Sequence, residues 1–300
     1  MLKAEELDKA NPTELIYEGS VKRVWQAPKS SDHLYFEFTD DYSVFDWGKM
    51  PDTIANKGRA LTIMGAFFFK VLADPKLWQS LPNSEHLEKF DQKWLNERWK
   101  HPFYRDDKNG LATKGATSHF VGLSAADSRI DNFAVAAKSS PLYMEVLKAA
   151  VAHPEEKQLL GQTLYFYPNT NSNIKMVPLE LVFRFGMPNG SSLKDRLAKD
   201  PSYAQTLGLN YVPKEEGWFP HPVIEFFTKL ESKDRLLNWT EAVLLSGLNA
   251  TQFENMIELL FDTALALHVI FADKGMELWD GKIELAISLD PKSNQWDAGS

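Results

Sequence analysis

Four separated stretches of the sequence combine glycine, hydroxyl and charged side chains in patterns that can bind phosphate or a metal ion. Residues 19–25 contain a glycine that permits a tight turn, and Lys22 on the predicted strand can project its charge towards polyphosphate. Residues 39–46, followed by Lys57 and Gly58, carry carboxylates and a hydroxyl that could orient an amine, a sugar or a metal-bound water. Taken alone, an exposed strand lysine and a solvated turn are the simpler interpretations of these two stretches.

The third stretch, residues 176–184, places a carboxylate and a guanidinium on an apolar strand. Glu180 and Arg184 are four residues apart, so the period of two along a strand puts both side chains on one face. Because burying either charge alone is costly, the two need partners or a solvated cleft. A glycine and two serines then open a predicted helix. A phosphate site at its N-terminus and ordinary capping by Ser191 or Ser192 are equally compatible with this pattern.

The fourth stretch, residues 280–285, alternates charged and apolar side chains. Asp280, Lys282 and Glu284 fall on one strand face, with isoleucine and leucine on the other. The carboxylates could take Mg²⁺ and the lysine a phosphate. A solvent-facing edge strand shows the same alternation, so the pattern alone leaves both interpretations open.

Hydrophobic periodicity predicts the strands and helices that would position these stretches. Strand patterns occur at residues 21–25, 34–38, 117–123, 163–167, 173–185, 223–228 and 277–288. Helical patterns occur at residues 60–72, 192–198 and in two runs within 240–273 that break near Gly247. This order predicts an α+β fold with two lobes and a cleft. We place the lobes at residues 1–185 and 186–300.

Residues 85–100 are predicted to form an amphipathic helix. Leu87, Phe90 and Trp94 recur at helical spacing on one apolar face, and charged residues occupy the other face. Packing of this face into a core is the favoured interpretation over an aromatic ligand box.

Composition and charge argue against several classes of function. A chain of 300 residues with 44% hydrophobic residues can bury a large core, and a formal charge of −8 argues against a broad nucleic-acid-binding surface. The absence of cysteine excludes disulfides and thiolate zinc sites. The first 11 residues lack the apolar segment of a secretory signal, and the apolar residues 60–73 are too few to span a membrane. We therefore expect a cytoplasmic protein that binds neither nucleic acid nor membrane.

The ordered combination of the four stretches resembles the SAICAR synthetase family. Members carry Gly-Lys-x-Lys near the start, Asp-x-x-Ser-x-x-Asp, Pro-Leu-Glu followed by arginine and Gly-Ser, and a late Asp-x-Lys-x-Glu. Residues 117–120 and 222–231 add to the resemblance, which spans most of residues 17–285. It implies a two-lobed α+β fold with antiparallel sheets and an ATP-binding cleft between the lobes. It also implies ATP-dependent ligation of aspartate to the carboxylate of carboxyaminoimidazole ribotide in purine biosynthesis.

The resemblance implies which residues bind the nucleotide and its metal ion. Lys22 would contact the ATP phosphates, and the strand that begins at Met176 would flank adenine. Glu284 and Asp280 would bind Mg²⁺, and Lys282 would complete the charged wall as a catalytic residue.

The resemblance also implies a substrate side of the site. The residues that would hold the ribotide are Glu180, Arg184 and Ser191. The residues that would shape the substrate end of the cleft are Asp41, Ser43 and Asp46. Two further catalytic roles are implied: Lys229 near the transferred phosphate, and Asp46 as a general base for the amine.

Departures from the family pattern leave other functions open. Ser20 stands where the family commonly has its first lysine. Residues 76–110 and 124–172 are long for a compact member, and Asp290 or Asp297 would have to replace a further metal-binding aspartate. A non-catalytic nucleotide- or ribotide-binding relative and an ATP-dependent amide ligase with another substrate are therefore alternatives. The sequence does not establish the oligomeric state, and a homo-oligomer is compatible with it.

Overall fold

The polypeptide folds into two compact units and passes between them three times. The computed structural model describes residues 14–28, 30–44, 48–125, 128–168, 172–213 and 216–288. The first unit comprises Met1–Val71 and Ser118–Lys148, and the second comprises Leu72–Thr117 and Ala149–Ser300. The single boundary expected between residues 185 and 186 falls inside a continuous strand of the second unit, Leu179–Met187. Contacts between distant segments define the units, and local sequence patterns do not reveal them.

The first unit is built on a six-stranded antiparallel sheet. Its strands are β1 (Leu15–Glu18), β2 (Lys22–Gln26), β3 (His33–Phe38), β6 (Phe120–Ala125), β7 (Ser128–Ile130) and β8 (Leu142–Leu147), in the order β1-β2-β3-β8-β6-β7. A separate ladder pairs β4 (Asp41–Val44) with β5 (Gly48–Thr53). The helices are α1 (Lys57–Leu72) and α6 (Phe133–Ala136). The strands predicted at residues 21–25 and 34–38 and the helix predicted at 60–72 are confirmed.

Helix α1 packs against the sheet, and its first turn is held against the segment that joins β3 to β4. Its Ala66 is fully buried in a cluster with Met144 of β8. The carboxylate of Asp40 accepts a hydrogen bond of 2.9 Å from the backbone N–H of Gly58. A Cβ atom at Gly58 would collide with the carbonyl oxygen of Phe38, so this close approach requires glycine.

The second unit contains a four-stranded antiparallel sheet. Its strands are β12 (Leu179–Met187), β13 (Gly217–Thr228), β14 (Leu236–Leu237) and β15 (Asp280–Ile283), in the order β14-β13-β12-β15. Two further ladders pair β9 (Glu155–Leu159) with β10 (Gln162–Phe166), and β11 (Ile174–Met176) with β16 (Ala286–Ser288). The strands predicted at residues 173–185 and 277–288 are each divided in two, because their halves join different sheets.

Two layers of helices cover the four-stranded sheet. The helices in this part of the chain are α7 (Ser192–Lys199), α8 (Tyr203–Thr206), α9 (Trp239–Ser246) and α10 (Ala250–Ala272). Helix α10 belongs to the main core with Leu181 and Phe183, whereas α7 and α8 form a smaller cluster with Val223. By length and composition α10 could cross a membrane, but 61% of its most apolar window is buried inside the protein. That burial accounts for its apolar composition as a core helix.

Residues 72–117 form a run of short helices in the second unit. They are α2 (Pro75–Ser80), α3 (Gln92–Arg98), α4 (Pro102–Arg105) and α5 (Leu111–Lys114), with 3-10 turns at Leu81–Asn83 and Glu85–Leu87. The prediction of one helix over residues 85–100 is wrong, because the Asp91 side chain caps a helix that begins at Gln92. Leu87 and Phe90 are nonetheless buried in the main core, as their apolar spacing predicts.

Candidate active site

The strand β12 separates apolar and charged side chains onto opposite faces of the four-stranded sheet. Leu181 and Phe183 point into the main core, so the alternation puts Glu180 and Arg184 on the other face. Val182, which lies between these two charged residues, is paired with Glu225 of β13 on one side and with Lys282 of β15 on the other. Three adjacent strands therefore place charged side chains on one face.

Two of these charged residues, Glu180 and Lys282, form a lysine–glutamate cluster with Lys229, which follows β13, and Glu284, which follows β15. The Nζ atoms of Lys229 and Lys282 lie 2.7 and 2.8 Å from the same oxygen of Glu180. Lys229 Nζ also lies 2.8 Å from Oε1 of Glu284. The members of the cluster differ in exposure, because the side chain of Glu180 is 7% exposed and that of Lys282 is 61% exposed. One buried carboxylate thus holds two ammonium groups at the edge of the sheet.

The electrostatics of the cluster keep its central groups charged. Burial alone lowers the pKa of Lys229, but hydrogen bonds and charge interactions with Glu180 and Glu284 outweigh it and raise the pKa above its ordinary value. Burial alone raises the pKa of Glu180, but Lys229 and Lys282 lower it below its ordinary value. The two shifts agree that the pair is ionised at neutral pH. Lys229 is therefore suited to hold an anion and unsuited to act as a base.

A second, arginine–glutamate cluster lies on the same face and consists of Arg184, Arg196, Tyr203, Glu225 and Asp280. The Glu225 side chain is completely buried. Its carboxylate accepts hydrogen bonds from Arg184 Nε at 2.6 Å, from Arg196 Nη2 at 2.7 Å and from the Tyr203 hydroxyl at 2.7 Å. Arg184 Nη1 also donates to Asp280 Oδ2 at 2.7 Å. Burial and the charge of Glu225 raise the pKa of Tyr203, so its hydroxyl stays a donor. Arg184 is consequently fixed from both neighbouring strands.

Ser191 occupies the N-cap of α7. Its side-chain oxygen accepts a long hydrogen bond of 3.4 Å from the backbone N–H of Leu193. Ser191 therefore caps the helix, which is one of the two roles that the sequence left open. The same helix carries Arg196, so the capped turn also sets the position of an arginine in the arginine–glutamate cluster.

The predicted adenine-flanking strand is short and firmly paired. Met176 ends β11, lies opposite Ala286 of β16, and donates its backbone N–H to the carbonyl of Ala150 at 2.9 Å. The next residue, Val177, is buried and donates to the carbonyl of Leu285 at 2.8 Å. These contacts tie β11 to the chain segment that follows β15.

The remaining predicted site residues that the structure describes belong to the first unit. Lys22 on β2 places its Nζ atom 4.1 Å from the centre of the Phe36 ring. Asp41 on β4 pairs with Lys49 at 2.9 Å, and this hydrogen bond lowers the pKa of its carboxyl. Ser43 on the same strand is exposed and lies opposite Lys49 in the ladder. Asp46, Asp290 and Asp297 lie outside the described residues.

The two residues predicted to bind the metal ion are each paired with a different basic side chain. Asp280 pairs with Arg184 and Glu284 pairs with Lys229. Within the described ranges, no group of three or more histidine, aspartate or glutamate side chains could hold a metal ion. Mg²⁺ is often bound by one or two carboxylates together with substrate phosphates and water. Glu284, whose side chain is 38% exposed, fits that pattern, whereas Asp280 is engaged in fixing Arg184.

No role is predicted from the sequence for Glu225, Arg196 or Tyr203. One signal was present, because Glu225 interrupts the apolar run from Val223 to Phe227, and a carboxylate there needs a partner. Arg196 and Tyr203 lie on surface-like helical segments, and nothing in their local pattern points to a buried glutamate 29 and 22 residues away.

Antiparallel sheets flanked by helices define an α+β protein, and the charged sheet face gives it a site suited to anionic ligands. The SAICAR synthetase family model matches residues 15–97 and 131–293. The chain therefore belongs to the SAICAR synthetase family, as its motifs predict.

Named relatives agree with this assignment. The chain is 30% identical over 255 residues to a provisionally named phosphoribosylaminoimidazole-succinocarboxamide synthase of Archaeoglobus fulgidus, which covers 84% of this chain and 62% of the relative. It is 26% identical over 273 residues to the synthase of Thermoplasma volcanium, covering 91% of this chain and 68% of the relative. The chain thus spans less than two thirds of the length of the Archaeoglobus protein.

Solved structures share the fold at low sequence identity. A SAICAR synthetase (Type-2) in complex with ADP has a TM-score of 0.54 and 20% identity, covering 96% of this chain and 79% of that chain. The phosphoribosylaminoimidazole-succinocarboxamide synthase of Ehrlichia chaffeensis has a TM-score of 0.54 and 16% identity, and the match covers 96% of this chain and 81% of that chain. The predicted α+β fold of SAICAR synthetase type is confirmed.

Proposed function

We propose that the protein joins aspartate to the carboxylate of carboxyaminoimidazole ribotide at the expense of ATP, forming SAICAR, ADP and phosphate. The observation that carries the proposal is the lysine–glutamate cluster, which presents two ammonium groups on one sheet face in a member of the SAICAR synthetase family. The names of the relatives and the ADP bound to a structural neighbour support it. The reaction belongs to purine biosynthesis and takes place in the cytoplasm.

The chemistry proceeds in two displacements. A carboxylate oxygen of the ribotide attacks the γ-phosphorus of ATP, the bond to ADP breaks, and an acyl phosphate forms. The aspartate amine then attacks the acyl carbon, phosphate leaves, and the amine gives up a proton, for which Asp46 is the candidate acceptor. Lys229 and Lys282 stabilise the negative charge on the transferred phosphoryl group, because their ammonium groups are already held in place by Glu180.

The arginine–glutamate cluster supplies a binding group for the ribotide. A guanidinium is suited to a phosphate because its planar fork donates two parallel hydrogen bonds. Glu225 and Asp280 fix Arg184 before the substrate arrives, so little side-chain entropy is lost on binding. Glu180 and Ser191, in the same unit as this cluster, complete the substrate side. Asp41 and Ser43, in the first unit, remain predictions from the family resemblance.

The strand at Met176 forms the nucleotide side of the proposed site in the second unit. Lys22, in the first unit, remains a prediction from the family resemblance for a contact with the ATP phosphates. Glu284 would hold Mg²⁺ together with the nucleotide phosphates, and the ion would neutralise charge on them. The chain's own part in this region is to hold the Glu284 carboxyl group beside Lys229, where their oxygen and nitrogen are 2.8 Å apart.

Turnover by the purified protein tests the proposal. ADP release should require ribotide, aspartate and Mg-ATP together, and mass spectrometry should detect a product that contains aspartate in amide linkage. ADP release with another amine but not with aspartate would identify a different amide ligase. Tight binding of Mg-ATP and ribotide by calorimetry without any ADP release would identify a non-catalytic binding protein, and either result contradicts the proposed reaction.

A further inference from the structure

Lys229 is held through its backbone as well as through its side chain. It follows the last residue of β13, and its backbone N–H donates to the carbonyl of Pro178 at 3.1 Å. The turn after it is closed by Thr228, whose N–H donates to the carbonyl of Arg235 at 2.9 Å and whose hydroxyl oxygen accepts the Arg235 N–H at 2.9 Å. The position of the ammonium group therefore depends on how this turn is fixed.

The β9–β10 hairpin contacts the same turn. After β10 the chain reaches Tyr167, whose hydroxyl donates to the carbonyl oxygen of Lys229 at 2.7 Å. Tyr165, on β10 itself, forms a hydrogen bond of 2.8 Å between its hydroxyl and that of Ser232. The hairpin lies within residues 124–172, a region that is long for a compact member of the family.

A buried carboxylate reinforces the contact between Tyr167 and the turn. Glu231 has a completely buried side chain that pairs with Arg235 at 2.9 Å and lies 3.5 Å from the Tyr167 hydroxyl. Burial and the charge of Glu231 raise the pKa of Tyr167, so the phenol remains a donor. Leu230, between the two anchored residues, has φ of 72°, a conformation that non-glycine residues adopt only where surrounding contacts impose it.

We propose that Tyr167 is a positioning residue for Lys229. Its hydroxyl fixes the Lys229 carbonyl, and the fixed backbone keeps the Nζ atom between Glu180 and Glu284, 2.7 and 2.8 Å from their oxygens. This role rests on the proposed function, in which Lys229 stabilises the transferred phosphoryl group. A displacement of the ammonium by a fraction of an ångström weakens that stabilisation more than it weakens substrate binding.

Two tyrosine variants of the full chain separate positioning from general support of the hairpin. Tyr167→Phe removes the hydroxyl that contacts Lys229, and Tyr165→Phe removes a neighbouring hydroxyl that contacts Ser232. Tyr167→Phe is expected to lower kcat about tenfold and to change the KM values for ATP and ribotide less than about twofold. Tyr165→Phe should resemble the wild type. Equal kcat values for the two variants would overturn the proposal, and so would a loss confined to KM.

A second measurement reads the position of Lys229 without turnover. Brief acetylation with acetic anhydride, followed by peptide mass spectrometry, measures the reactivity of Lys229 relative to Lys49 of the first unit. Tyr167→Phe should raise this ratio about threefold or more, because an ammonium released from two carboxylates loses its proton more readily. Tyr165→Phe should leave the ratio unchanged. If the wild type lacks turnover, the proposed function fails, whereas an unchanged Lys229 ratio in Tyr167→Phe overturns the positioning role.

Discussion

Arg184 and Glu225 face each other diagonally across β12 and β13 with 2.6 Å between Nε and Oε2, although the Glu225 side chain is completely buried. The carboxylate makes this burial tolerable because it accepts from two guanidinium groups and a tyrosine hydroxyl. The proposed ribotide-binding arginine is therefore positioned by a residue that no solvent reaches.

Removal of the Glu225 carboxylate should destabilise the protein strongly. Glu225→Ala leaves Arg184 and Arg196 without their shared partner, and we expect the free energy of unfolding to fall by about 3 kcal/mol or more. Urea denaturation measures the change. The control is Glu155→Ala on the exposed hairpin pair with Lys157, which should change stability by less than about 0.5 kcal/mol. Similar values for the two variants would show that the buried cluster is not a stabilising unit.

Replacement of Lys282 should lower turnover while leaving the stability of the fold nearly unchanged. Its side chain is 61% exposed, so Lys282→Met should leave the melting temperature close to that of the wild type. Turnover should fall by about a hundredfold or more, because the variant lacks a cation beside the transferred phosphoryl group. Lys157→Met, at an exposed lysine of the hairpin, is the control for loss of charge. Wild-type turnover in Lys282→Met would contradict the charge role.

The lysine–glutamate cluster should make stability depend on pH at both ends of the scale. The pKa of Glu180 is lowered in the folded state, so its contribution is present above the ordinary glutamate value of about 4.3 and is lost as pH falls through the folded pKa. The pKa of Lys229 is raised, so its contribution is present below about 10.4 and is lost as pH rises through the folded pKa. The difference in unfolding free energy between the wild type and Glu180→Gln should therefore shrink below pH ~4. A difference that stays constant down to pH ~2 would exclude this coupling.

Local patterns predicted the elements of the site better than their connections. The period of two along β12 was sufficient to place Glu180 and Arg184 on one face. Their partners were not predicted, because they depend on the register with β13 and β15. The contact between Lys229 and Glu180 joins residues 49 apart in sequence, and that between Tyr167 and Lys229 joins residues 62 apart. Such pairs depend on tertiary packing and leave no periodic signal.

The interrupted helix at residues 85–100 shows a related limit. The spacing of Leu87, Phe90 and Trp94 matches one helical face, and the first two are buried as that face requires. The backbone nevertheless turns at Asp91, because its carboxylate accepts the N–H groups of Lys93 and Trp94 at 2.8 and 3.2 Å. A capping aspartate inside an amphipathic pattern competes with helix continuation, and here the cap prevails.

Arg98, in the helix that Asp91 starts, forms a buried ion pair with Asp262 of α10 at 2.7 Å. Burial raises the pKa of Asp262 to about 6 although Arg98 opposes the shift, and its titratable neighbours also include Glu258, His101 and Tyr104. Because the folded state holds this proton more tightly than the unfolded state, the contribution of Asp262 to stability falls as pH rises from about 4 to about 6. Asp262→Asn removes the titration and retains the shape. The unfolding free energy of the wild type, measured by urea denaturation relative to Asp262→Asn, should therefore decrease across this interval. A relative stability that rises with pH instead would mean that Arg98 outweighs burial and that the carboxyl is ionised throughout.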